Sequence, residues 1–343
     1  MNNEIILNVN KNINSETSSS NTYSNISSAL EAAGAIRQEN EHTPIVIEIA
    51  PGTYKEKLVI TIQNLTLKGS SDNAADTVLT YDDYAQAIHE DGVKYGTFRS
   101  YSVFIDADNV TLANLTIENN AGAGTKVGQA VALYADGDCL SFENCRLLGH
   151  QDTLFTAPLP PCAYEINGFR GPKEFAPRRD GRHYYKNCYI CGDVDFIFGS
   201  ASAYFEGCEI FSLRRGSEIG GYVTAPSTPE GKRYGYIFNN CRFTSDCPPG
   251  SVYLGRPWRD FAKVVIMNSF LDAHIHKEGW HDWNKPHAHA TTFFAEYNNY
   301  GPGADTSKRA SFAHVLIDEE IITYEFFTNA KSDAKIIFEK LCK

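Results

Sequence analysis

Asp195 stands in the run Val194-Asp195-Phe196-Ile197-Phe198, which otherwise reads as a strongly apolar strand. A carboxylate in such a strand is costly unless a cation or donors pair with it. Two uses would account for it: a structural ion pair or turn cap, or a reactive carboxylate whose surroundings set its ionisation. Three other segments carry groups suited to chemistry. Gly128-Gln129-Ala130-Val131-Ala132-Leu133 sets a glutamine before an apolar run. Gly149-His150-Gln151-Asp152-Thr153-Leu154-Phe155 holds a second glutamine beside a second carboxylate, and Leu254-Gly255-Arg256-Pro257-Trp258 offers an arginine and an aromatic. Neighbours on a plain strand face opposite sides, so Gln151 and Asp152 can serve one site only across a bulge or turn. His150 near Asp152 looks like half of a hydrolase triad, but no Gly-x-Ser-x-Gly elbow exists in the chain. A strand-end histidine with a hydrogen-bonded ring is the preferred reading. His274, His276, His281, His287 and His289 contain His-x-His twice, a spacing that could hold zinc.

The elements that must position these groups show themselves as a repeat. Glu143-Asn144-Cys145-Arg146-Leu147, Lys186-Asn187-Cys188-Tyr189-Ile190, Glu206-Gly207-Cys208-Glu209-Ile210 and Asn239-Asn240-Cys241-Arg242-Phe243 share one pattern: polar, Asn or Gly, Cys, variable, apolar. The cysteines are 43, 20 and 33 residues apart, as a base coil of about 20 residues with inserted loops would give. Short β-branched and aromatic segments alternate at period two, with little helical periodicity between them. A doubly wound sheet is therefore disfavoured. An antiparallel sandwich gives no reason for the same Cys in successive units, whereas stacked coils of a parallel β-helix do, because equivalent positions lie about 4.8 Å apart.

We therefore expect one all-β solenoid domain over residues 1–343, with a helix near 24–37 and another near 332–342 capping its ends. Ser24 or Asn25 would cap the first. The stretch Ala157–Arg182 carries Pro158, Pro160, Pro161, Pro172 and Pro177, and a loop that long in a compact fold is usually functional.

With 343 residues, 42% of them apolar, the chain can bury a large core. No segment approaches the ~20 apolar residues that span a bilayer. A net charge of −11 argues against nucleic acid and anionic membrane as partners. Nine cysteines cannot all pair, and the N-terminal segment shows no signal-like region, so a cytoplasmic, reducing location is expected, the alternative being a secreted chain whose signal peptide has been removed.

Five blocks in register identify a resemblance: Gly52-Thr53-Tyr54-Lys55-Glu56, Gln129-Ala130-Val131-Ala132-Leu133, Gln151-Asp152-Thr153-Leu154, Asp195-Phe196-Ile197-Phe198-Gly199 and Leu254-Gly255-Arg256-Pro257-Trp258. Ala295-Glu296-Tyr297-Asn298-Asn299-Tyr300-Gly301-Pro302-Gly303 adds a late one. From about Ser24 to Asp318 the chain resembles the pectin methylesterases of bacterial type, carbohydrate esterases built on a right-handed parallel β-helix. The resemblance implies that Asp195 is the nucleophile on a galacturonate methyl ester, and that Arg256 keeps it ionised and oriented. It implies that Asp152 protonates departing methanol and then activates water, and that Gln129 and Gln151 donate to the tetrahedral oxyanion. Phe98, Phe155, Phe198, Trp258 and Trp280, with Val194, would form the sugar groove, where ring faces meet the apolar faces of the sugars. Phe196 and Phe198 are expected on opposite faces, Phe196 in the core and Phe198 in the groove.

By the same resemblance the histidine-rich segment, with Trp280 and Trp283, rims the groove in a family needing no metal, so we discount zinc and expect no cofactor. Cys188 and Cys208 match positions where some bacterial relatives carry a disulfide; a bridge and a ladder of free thiols both remain open, the ladder being favoured in a reducing compartment. The expected partner is methyl-esterified pectin or oligogalacturonate, bound by a monomer. A lyase or glycosidase on the same fold, or a non-catalytic carbohydrate-binding β-helix, is the alternative. The 157–182 insertion leaves the chain two residues beyond Phe155, so it should rise beside the groove, close one end and favour short methylated oligomers.

Overall fold

The computed structural model describes residues 4–12, 21–41, 43–318 and 320. The expected helix near 332–342 lies outside the described residues. Every strand-to-strand pairing among them is parallel, and the strands form sheets of twelve, eight and seven. The central coils contribute one strand to each sheet: Leu133–Asp136 joins the seven-stranded sheet, Leu140–Glu143 the twelve, Arg146–Leu148 the eight, and Leu154–Thr156 returns to the seven. The fold is a right-handed parallel β-helix.

The repeated Asn–Cys unit is the corner between the twelve- and eight-stranded sheets. Asn114, Asn144, Asn187, Asn240, Asn268 and Asn298 all have φ between 48° and 54°, and Gly207 takes 61° at the same corner. Asparagine and glycine tolerate this left-handed conformation where most side chains do not. The next residue then points inward. Cys145, Cys188, Cys208 and Cys241 are buried, and each thiol lies 3.4–3.5 Å from a carbonyl of the preceding coil, Leu112, Phe142, Tyr185 and Phe205 respectively. All four are free thiols, so Cys188 and Cys208 belong to a ladder and are not bridged. Cys139, by contrast, is disulfide-bonded, which an odd cysteine count does not forbid.

Register makes the core a set of columns. Phe142, Tyr185, Phe205 and Phe238 occupy equivalent positions in four coils, with ring centroids 4.6, 4.6 and 4.4 Å apart and planes within 10°. Such pairs contribute about 0.5–1.5 kcal/mol each beyond the area they bury.

The N-terminal helix runs Ile26–Glu39 and buries Ile26, Ala29, Leu30 and Ala33. Asn25 caps it by accepting from the Ser28 amide at 2.8 Å. Glu56 accepts from the Ile26 and Ser27 amides, both at 2.9 Å, so the Gly52–Glu56 block anchors the helix. A carboxylate there also meets the positive end of the helix dipole.

Candidate active site

A cavity of about 370 Å³ opens on the outer face of the seven-stranded sheet. Gln129, Gln151, Asp152, Asp195 and Arg256 line it together, with Phe98, Phe198 and Trp258 as its aromatic wall. They come from four coils, Gln151 and Asp152 sharing one, and Val194–Gly199 pairs with Leu154–Thr156 on one side and Gly221–Pro226 on the other.

Local backbone geometry explains how the carboxylates reach the cavity. Asp195 has φ 51° and the register with Gly221–Pro226 slips between Val194 and Ile197, so the strand carries a bulge at the carboxylate. In a regular strand Phe196 and Phe198 would share a face, being two residues apart. The bulge separates them: Phe196 enters the main core, and Phe198 joins the aromatic cluster at the cavity. Asp152 has φ 65° in the turn before Leu154–Thr156, so Gln151 and Asp152 can both face the cavity. Left-handed aspartates cost about 1–3 kcal/mol each, and such strain gathers at functional sites.

Asp195 is gripped by Arg256 in a bidentate pair, Nε to Oδ1 at 2.8 Å and Nη2 to Oδ2 at 2.7 Å. The guanidinium itself lies between two rings, 3.8 Å from the Tyr222 centroid and 3.7 Å from that of Trp283. Gly255 lets the arginine strand pass, because a Cβ there would stand 2.0 Å from Thr224 Oγ1. Burial raises both carboxyl groups above the usual aspartate range. In Asp152 burial and the neighbouring Asp195 charge raise it well above; in Asp195 the bonded Arg256 opposes burial. The proton of the pair therefore belongs on Asp152, and Asp195 is the ionised member.

Three expected groove residues lie elsewhere. Trp280 is 1% exposed, stacks on Phe294 at 4.5 Å and donates from Nε1 to Glu296, so it is a core residue. Its backbone bridges in parallel to Gly255, which turns the ring inward; Trp283, three residues on, supplies the rim indole. Phe155 is fully buried beneath the wall, with ring centroids 5.0 Å from Phe98 and 4.8 Å from Phe198. Val194 is half-buried and does not line the cavity. Four of the five histidines of 274–289 are engaged separately, His276 and His281 against the Tyr253 ring, His287 with Asp260 and His289 with Asp282, while His274 is buried with neither ring nitrogen hydrogen-bonded.

The insertion contributes residues that composition and periodicity could not single out. Tyr164, Glu165 and Phe169 line the cavity, and Arg259 joins them from beyond Trp258. Tyr164 donates to the Trp258 carbonyl at 3.1 Å and stacks under the Arg259 guanidinium at 3.5 Å. Arg178 donates to the carbonyls of Pro160, Lys173, Glu174 and Ala176, which staples the loop to itself. Lys173 pairs with Asp106 at 2.6 Å and Arg179 with Asp108 at 2.7 Å, so two aspartates of one coil hold it down.

On the oxyanion-donor role that the resemblance implies, Gln129→Ala is expected to lower kcat by about 10²–10³ with little change in KM. Steady-state kinetics of methyl-ester hydrolysis measure it. An effect confined to KM would move Gln129 to ground-state binding.

Comparison with known proteins finds one family throughout. The profile of the family described as Pectinesterase matches residues 12–159 and 177–331, and the break between them falls inside the insertion. Pectinesterase 31 of Arabidopsis thaliana is 33% identical over 280 residues, covering 80% of this chain and 79% of its own. The pectin methylesterase PemA from Erwinia chrysanthemi superposes with a TM-score of 0.72 at 29% identity over 96% of both chains. A pectin methylesterase solved in complex with a hexasaccharide gives 0.73 at 29% identity, again over 96% of each chain.

Proposed function

The chain belongs to the pectinesterase family, and from that premise we propose how its residues divide the work of removing methyl esters from pectin. The reaction is hydrolysis of the methyl ester of a galacturonate unit, releasing methanol and a free carboxylate; lyase, glycosidase and non-catalytic readings are not favoured. The observation that carries the assignment of roles is the Asp195–Arg256 pair, facing one cavity with a second, more strongly perturbed carboxyl and two glutamines.

Asp195 attacks the ester carbonyl, forming a carbon–oxygen bond and a tetrahedral oxyanion that Gln129 and Gln151 stabilise from their amide N–H groups. Collapse breaks the bond to methoxide, which takes the Asp152 proton and leaves as methanol. The acyl group is then held as an anhydride on Asp195. Asp152, now ionised, takes a proton from water, and the water oxygen attacks the acyl carbon. That attack breaks the bond to Asp195 and restores its carboxylate. Methanol release from methyl-esterified pectin, with none from fully demethylated pectin, tests the assignment.

Short methylated oligogalacturonates are the preferred substrate in this proposal. Tyr164, Phe169 and Arg259 wall the cavity on the insertion side, and the segment between the two family-matched stretches is tied down by the Lys173–Asp106 ion pair, with Arg179–Asp108 just beyond it. A wall across a groove hinders a polymer that must pass through and leaves a short chain free to enter. We expect kcat/KM on a methylated trimer-to-hexamer series to exceed that on high-methoxyl pectin, per ester, by about tenfold, or ~1.4 kcal/mol of transition-state binding. Replacing residues 160–176 by a short turn should bring the two together. A preference for polymer in the intact protein contradicts it.

A further inference from the structure

Behind the cavity, among residues that do not line it, lies a second ion pair. Asp193 is 2% exposed, and its Oδ1 accepts from Arg215 Nη1 at 3.2 Å and from the Val194 amide at 2.7 Å. The same Arg215 nitrogen donates a long bond, 3.5 Å, to the amide oxygen of Gln151. Gly124 closes the remaining side: a Cβ there would stand 2.8 Å from Gln151 Cβ and 3.3 Å from Arg215 Nη1. The Asp193 amide also donates to the His150 carbonyl at 3.0 Å, so this carboxylate residue joins the segment bearing Gln151 and Asp152 to the strand bearing Asp195.

We propose that Arg215, held by Asp193, is a positioning residue for Gln151, fixing its carboxamide so that the N–H groups, not the oxygen, face the reacting carbonyl. The inference rests on the reading of Gln151 as an oxyanion donor. A carboxamide has two orientations of nearly equal shape, with opposite ends toward the cavity. A guanidinium can only donate, so it selects the orientation that gives it the amide oxygen and leaves the amide nitrogen for the substrate. In the other orientation two donors would oppose each other behind the site, and a lone pair would meet the developing oxyanion in front. Asp193 supplies the charge that lets Arg215 sit there, and it shares one oxygen between the arginine and the Val194 amide beside the nucleophile.

A double-mutant cycle tests this. Arg215→Met should lower kcat for methanol release from a methylated oligogalacturonate by roughly 10–100-fold with KM nearly constant, and Arg215→Lys should recover part of the loss. In a Gln151→Ala background, Arg215→Met should change kcat by less than about threefold, since nothing is left to orient. Should Arg215→Met fail to fold by circular dichroism, Asp193→Asn and Arg215→Lys run the same cycle. Losses that multiply in full overturn the proposal, because Arg215 then acts without Gln151. A raised KM at unchanged kcat also overturns it, making Arg215 a substrate-binding cation. Absence of methanol release by the wild-type protein would instead overturn the reading of the site on which the proposal rests.

Discussion

Asp195→Asn is expected to abolish methanol release, with kcat reduced by at least about a thousandfold, some 4 kcal/mol of transition-state stabilisation. The amide keeps the size and planarity of the carboxyl group, and its oxygen can still accept from Arg256. It cannot attack an ester or carry the acyl group as an anhydride. KM and the far-ultraviolet circular dichroism spectrum should be nearly unchanged, because the position remains filled and one of the two Arg256 bonds survives. Retention of more than about a tenth of wild-type kcat, a change below ~1.4 kcal/mol, would show that Asp195 is not the nucleophile.

Asp152→Asn should lower kcat by about 10²–10⁴, the usual contribution of a positioned proton donor and acceptor. Its effect on the pH profile distinguishes it from general damage. Burial and the Asp195 charge raise the Asp152 carboxyl well above the usual aspartate range, so it stays protonated while Asp195, paired with Arg256, ionises. The wild-type rate should therefore fall at low pH as Asp195 takes a proton, and at high pH as Asp152 loses one. In Asp152→Asn the alkaline limb should disappear while the acid limb remains. Survival of the alkaline limb would assign it to another group.

What could be read from the sequence were the features that recur or violate a local rule. The Asn–Cys corner recurs because each coil must make the same left-handed turn and then point the next side chain inward, as Cys145, Cys188, Cys208 and Cys241 do. Asp195 drew notice because a carboxylate contradicts its apolar run. The bulge that turns it outward depends on pairing with Gly221–Pro226 in another coil, which no local pattern contains. Trp280 and Trp283 illustrate the same limit. Both belong to one segment with similar composition, and the parallel bridge from Gly255 to Trp280 decides which indole is buried. The insertion was recognisable from its prolines, yet Tyr164 and Phe169 reach the cavity only through contacts with Trp258 and the aromatic cluster. Arg215 was silent for a similar reason, since its partners Asp193 and Gln151 are 22 and 64 residues away.

The covalent step is tested most directly by rapid mixing with a methylated oligogalacturonate, acid quenching within the first turnover, and mass mapping of the peptide that carries Asp195. One methanol should be released per site ahead of free carboxylate, with a galacturonyl adduct on Asp195. Methanol and free carboxylate rising together from the first turnover with no adduct, or an adduct on a different side chain, would contradict it.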